Sequence, residues 1–96
     1  MQKISRQEAD ALIDALKHHA PGAVERLLAA FGDKVYRLAM RFTRNAQDAE
    51  EVAQDALWTA ARKIDTFKGE AAFSSWLFRI TANAAANGLA NVTARE

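Results

Sequence analysis

Between Val24 and Phe42 the apolar side chains fall at i, i+3, i+4, i+7, i+11, i+14, i+15 and i+18: Val24, Leu27, Leu28, Phe31, Val35, Leu38, Ala39 and Phe42. This spacing follows the turn of an α-helix and not the alternation of a strand. It predicts one long helix, running to about Thr43, with this stripe buried in the core. Gly32 interrupts it at a cost of about 1 kcal/mol against alanine, and the helix is expected to run through it. No other stretch carries a strand signal, a repeat or low complexity. The expectation is an all-α fold, a compact bundle of about four helices with short connections.

The other helices follow from their caps and stripes. Ser5 to His19 predicts a first helix, in which Ser5 and Glu8 have the spacing of a capping box. Ala9, Leu12, Ile13 and Leu16 form its apolar side. His18 and His19 point about 100° apart on a helix, which suits the helix C-terminal dipole better than chelation of one metal. Pro21 and Gly22 break the chain, and Pro21 suits the first turn of the next helix. Asn45 is a good N-cap for a third helix, with Asp48 in its first turn. Asp65 to Glu70 makes a loop with Gly69 as its most permissive point. A last helix is expected from near Ala71, with Phe73, Trp76, Leu77, Ile80 and Ala84 on its apolar face.

The third helix, Asn45 to Ile64, has two faces. Val52, Ala53, Ala56, Leu57, Ala60 and Ile64 make an apolar stripe; Glu51, Gln54, Asp55, Trp58 and Arg62 lie opposite. Trp58 falls near the centre of the polar face. A tryptophan there either lies flat on its neighbours or serves as a partner-binding anchor, a role in which Trp is enriched. On the last helix, Arg79, Asn83, Ala86, Asn87 and Ala90 lie on or near the polar side. Asn83 and Asn87 are four apart, so their amides reach one surface. Such amides can donate and accept at a base edge, or they form solvated surface on a helix fraying near Gly88.

Composition narrows the function. The chain has 96 residues, enough for one domain with a modest core, and half of them are apolar. It has no cysteine, which excludes disulfides and thiolate metal sites and suits the cytoplasm. No apolar run approaches the ~20 residues of a membrane span. Thirteen basic and twelve acidic side chains leave a net charge of +1, so phosphate neutralisation by this chain alone is a weak grip on nucleic acid. No nucleophile–base constellation is present, and the glycines are scattered singly. Glu50, Glu51 and Asp55 lack a histidine partner and read as a solvated acidic face. Neither an enzyme nor a cofactor or metal site is expected.

The stretch Asp48–Asn83, DAEEVAQDALWTAARKIDTFKGEAAFSSWLFRITAN, resembles region 2 of bacterial sigma factors of the extracytoplasmic function group, and so does the preceding DKVYRLAMRFTRNAQ. Its parts agree in order: Tyr36-Arg37-Leu38-Ala39, Asp48-Ala49-Glu50, Gln54-Asp55, Phe67-Lys68-Gly69-Glu70, then Phe73 and Trp76-Leu77-Phe78-Arg79-Ile80. The resemblance implies a helical domain with two tasks. One is docking on the clamp coiled coil of the largest subunit of core RNA polymerase, through Glu51, Gln54 and Asp55 with Trp58 alongside. The other is recognition and opening of the promoter −10 element, where a flipped non-template base enters a pocket of the loop before the last helix. That loop corresponds to Phe67, Lys68, Gly69, Glu70, Ala71, Ala72 and Phe73, and Arg79, Asn83 and Asn87 match contacts on the helix. An anti-sigma factor is a further implied partner.

The chain departs from the family pattern in places. Relatives commonly carry basic residues late in the last helix, whereas Ala84 to Asn91 has none. Thr59 stands where some relatives are basic, and the nearby aromatic is Trp58 rather than one at Ala61. The family's second domain, a helix-turn-helix reading the −35 element, is expected to be absent from this chain. The alternative to promoter recognition is a sigma-like interaction module that binds polymerase or an anti-sigma factor without reading DNA.

Overall fold

The ends of the first three helices are set by local features, and the computed structural model describes residues 5–95, with side chains from 5 to 88. Ser5 caps α1 (Arg6–Lys17): its hydroxyl accepts the Glu8 N–H at 3.1 Å, one half of the expected capping box. The helix ends at Lys17, two residues inside the expected range, with His18 as its C-cap. His19 follows with φ 53, its N–H bonded to Leu16 O at 3.2 Å, while Ala20 N–H reaches Ala15 O at 2.9 Å. This is a Schellman closure with histidine at the left-handed position that glycine usually fills. His18 Nδ1 donates to Asp14 O at 2.8 Å.

Pro21 does not enter the next helix. It occupies the second position of a tight turn closed by Ala23 N–H to Ala20 O at 3.1 Å, and Gly22 takes the third at φ 78. That is a type II turn: proline's fixed φ suits the second position, and the third requires the left-handed region. The expected first-turn proline is thus corrected. α2 (Ala23–Thr43) starts after the turn and runs unbroken through Gly32.

The stripe on α2 is narrower than its spacing predicts. Ala23, Leu27, Phe31, Val35 and Ala39 are buried, each four residues after the last. A step of four advances the helix by 400°, so the buried line turns about 40° per step. Leu28 lies about 100° beyond Leu27, and Phe42 about 60° behind Ala39. Both leave the line and are 45% and 46% exposed, against the expectation that the whole stripe is core.

α2 ends at Arg44, which takes φ 55 while its N–H bonds Met40 O at 2.9 Å. Asn45 then caps α3 (Ala46–Arg62), its Oδ1 accepting the Asp48 N–H at 3.0 Å. The buried positions of α3 are Ala49, Val52, Ala53, Ala56, Leu57 and Ala60. Four of these six are alanine, which lets helix axes come close. α3 packs on both α2 and α4 and forms the middle of the bundle. A short 3₁₀ turn (Ile64–Thr66) continues from α3 and buries Ile64.

α4 (Phe73–Arg95) begins two residues later than expected and runs past Gly88 without a break. Phe73, Leu77, Thr81, Ala84 and Ala85 are buried, with Trp76 and Ile80 packed partly against the core. Thr81 is fully buried, and its hydroxyl donates to Leu77 O at 2.9 Å. A threonine satisfied by its own helix can sit in a core, so no polar partner on another helix is needed. The side chain of Ala90 lies outside the described residues. Among the described residues there is no strand, and no helix is long and apolar enough to cross a membrane. The all-α expectation of about four helices stands.

Candidate functional site

The polar face of α3 is open along its length. Glu51, Gln54, Asp55 and Trp58 are all exposed, and on a helix they fall within about 100° of one another, opposite the buried alanines. Trp58 is 58% exposed, the most exposed of the large apolar side chains in the described part of the fold. It stands among carboxylates and one amide, a pattern that pairs an apolar anchor with groups able to meet cations.

The second surface is the loop between the 3₁₀ turn and α4. Its two ends are inside the protein. Phe67 and Phe73 are 8% and 6% exposed, and their rings meet edge to face with centroids 5.6 Å apart. Phe73 also meets Phe31 of α2 at 5.3 Å, and Phe67 meets Trp76 of α4 at 5.3 Å. Lys17 of α1 donates to Phe67 O at 3.4 Å. Phe67 and Phe73, expected in the loop that forms the base pocket, hold the loop from within through these ring contacts and also line the cleft beside it. Between them Lys68, Gly69, Glu70, Ala71 and Ala72 are exposed, with Gly69 at φ 78. That φ makes glycine the fitting residue at the turn of the loop.

Arg79, Asn83 and Asn87 are exposed at steps of four along α4, so the structure brings them to one side of that helix. Arg79 is the one cation among residues 73–88 of α4. The α3 face and the loop with its α4 stripe are thus built on different elements.

A cleft of about 720 Å³ opens beside the loop. One wall is the loop from Gly69 to Ala72. The other is made by Ser5, Arg6, Ala9, Asp10 and Ile13 of the α1 end, with Phe31 and Lys34 of α2. Lys34 Nζ lies 6.0 Å from the centre of the Phe31 ring. Sequence reasoning did not find these residues. Lys34 sits three after Phe31 on the helix, which was the one available hint; Arg6 and Asp10 carried none. Among the described residues no cluster of three or more His, Asp or Glu side chains is placed to hold a metal ion.

The sigma-70 region 2 family model matches residues 27–95, which takes in most of α2, all of α3, the loop and α4. The chain belongs to the sigma-70 region 2 family. It is 33% identical over 86 residues to RNA polymerase sigma-H factor of Pseudomonas aeruginosa, a match covering 90% of this chain and 45% of that protein. It is also 33% identical over 87 residues to ECF RNA polymerase sigma-E factor of Escherichia coli K12, covering 90% and 45%. With ECF RNA polymerase sigma factor SigW of Bacillus subtilis it shares 42% over 53 residues, 55% of this chain and 28% of the relative. The resemblance to the extracytoplasmic function group therefore holds. The chain spans less than half the length of these relatives. In this region 2 domain α1 lies outside the matched residues, although it forms a wall of the cleft.

Proposed function

We propose that this region 2 domain serves transcription initiation by binding two partners. Glu51, Gln54, Asp55 and Trp58 dock it on core RNA polymerase, at the clamp coiled coil of the largest subunit. The loop Lys68–Ala72, braced by Phe67 and Phe73, takes up an unstacked base of the non-template −10 strand. Arg79, Asn83 and Asn87 contact the same strand. The observation that carries the reading is the exposure of Trp58 among acidic groups on a face of α3 that packs on nothing in the described fold.

Opening the duplex in this way needs no bond-making step. It requires that an extruded base bind the protein better than the stack, offsetting a few kcal/mol of unstacking. The near-neutral charge of the chain fits a division of labour in which polymerase supplies most of the electrostatic attraction to DNA. The test is binding of the domain to purified core polymerase, compared between wild type, Asp55→Arg and Trp58→Ala. Loss of affinity in both variants supports the docking face; equal binding by all three refutes it.

The scarcity of cations on α4 favours a second reading, a module that binds polymerase or an anti-sigma factor without reading DNA. Single-stranded −10 DNA presented with core polymerase separates the two. Protection that depends on Asn83 supports DNA readout, and protection absent from the wild type supports the second reading.

A further inference from the structure

The cleft beside the loop joins charged groups of α1, which lie outside the family-model match, to others within it. Its floor is apolar and aromatic, from Ile13, Phe31, Phe67 and Phe73. Two cations, Arg6 and Lys34, and two carboxylates, Asp10 and Glu70, stand at its walls. At about 720 Å³ it falls in the size range of small-molecule and nucleotide sites. One wall is the loop that the proposed function assigns to an unstacked base, so the cleft continues that surface toward α1.

We propose that Arg6 of α1 and Lys34 of α2 are further DNA-binding residues, holding the backbone phosphates of the single strand whose base the loop takes up. The inference rests on the DNA-binding half of the proposed function and adds α1 to it. Its chemistry is that of a nucleotide. A nucleotide brings an anionic phosphate, for which the two cations are partners, and base amines, for which Asp10 and Glu70 are acceptors. A purely anionic ligand would meet the two carboxylates with no compensating donor. Lys34 suits the role because its ammonium lies 6.0 Å from the centre of the Phe31 ring, an apolar support, and is in no ion pair among the described residues. Arg6 is exposed in the first turn of α1, whose far end is tied to the loop by Lys17 and Phe67. α1 and the loop are therefore tied to each other.

The test is a titration of the whole 96-residue chain, bound to core polymerase, with a fluorescent single-stranded oligodeoxynucleotide of randomised sequence at several salt concentrations. Four proteins are compared: wild type, Arg6→Gln/Lys34→Met, Arg26→Gln/Arg41→Gln and Asn83→Ala. Lys34→Met keeps the packing on Phe31, and Arg26 and Arg41 are exposed cations away from the cleft. Thermal melts establish that each variant is folded. Each phosphate contact on a single strand contributes about 0.7 to the salt slope, so the Arg6/Lys34 variant is expected to lower the slope by about 1.4 and to weaken binding roughly tenfold. The Arg26/Arg41 variant is expected to leave both close to wild type.

An equal loss in both double variants would mean a general charge effect and would overturn the inference. A wild-type slope in the Arg6/Lys34 variant, with binding still weakened by Asn83→Ala, would overturn it while the proposed function stood. Absence of DNA binding by the polymerase-bound wild type would remove both.

Discussion

Trp58→Ala should weaken docking on core polymerase by about 2–3 kcal/mol while leaving the fold intact. A tryptophan side chain offers about 250 Å², of which the exposed 58% is about 145 Å². Covering all of it in an interface, at about 25 cal/mol per Å², is worth about 3.6 kcal/mol. Fixing the side chain in one rotamer costs about 0.5–1.5 kcal/mol. The difference raises Kd roughly 30- to 140-fold. Isothermal titration or surface binding of the chain to purified core polymerase reads this directly. Trp58→Phe should fall between the two, because it keeps an aromatic ring of smaller area. Surface changes outside the core cost about 0.5 kcal/mol or less, so the melting temperature should move by no more than about 4 °C. A Kd within threefold of wild type, in a variant with an unchanged melt, would refute the reasoning and leave Trp58 an ordinary surface residue.

Other residues give sharp expectations too. His19→Gly should raise stability by about 1 kcal/mol and the melting temperature by about 4–8 °C, because φ 53 is strained for any residue with a Cβ; an unchanged or lower melting temperature would count against that strain. Thr81→Val should be neutral or mildly stabilising, since the hydroxyl is bonded only to its own helix, whereas Thr81→Ala should cost about 1 kcal/mol or more through the void it leaves; denaturant midpoints test both. Asn83→Ala should lower discrimination among −10 sequences without changing affinity for polymerase. Equal loss on every DNA sequence in a strand-binding assay would argue against base readout by Asn83.

Much of this fold is written in short-range rules. Ser5 and Asn45 cap the helices that they were expected to cap, and Gly32 is tolerated inside α2. The acidic face of α3 is exposed where its periodicity put it. The misreadings have a common origin in geometry beyond one turn. A fixed face drawn along α2 puts Leu28 and Phe42 in the core, whereas the buried side of a real helix winds around its axis as its neighbours change. Helix-start preference places Pro21 in a first turn, and the turn with Gly22 takes precedence over it. Thr81 was hidden because its polarity outweighed its position four after Leu77. For Phe67 and Phe73 the family pattern marks a loop without giving the burial of its members, which the ring contacts supply. Their burial depends on Phe31 and Trp76, one far away in sequence. The cleft against α1 is a tertiary product of the same kind, and no local pattern announces Arg6.

The paired rings of Phe67 and Phe73 have a consequence for how such a domain can change. The five residues between them leave the core and return to it at nearly one point, 5.6 Å apart measured between ring centres. Lengthening a closed loop costs little, about 0.6 kcal/mol for each doubling. Under the proposed function, recognition can therefore be rewritten from Lys68 to Ala72, by substitution or insertion, with the helices left as they are. The loop behaves as a cassette held in an aromatic clasp, so that a new preference for a base can arise without a new way of folding.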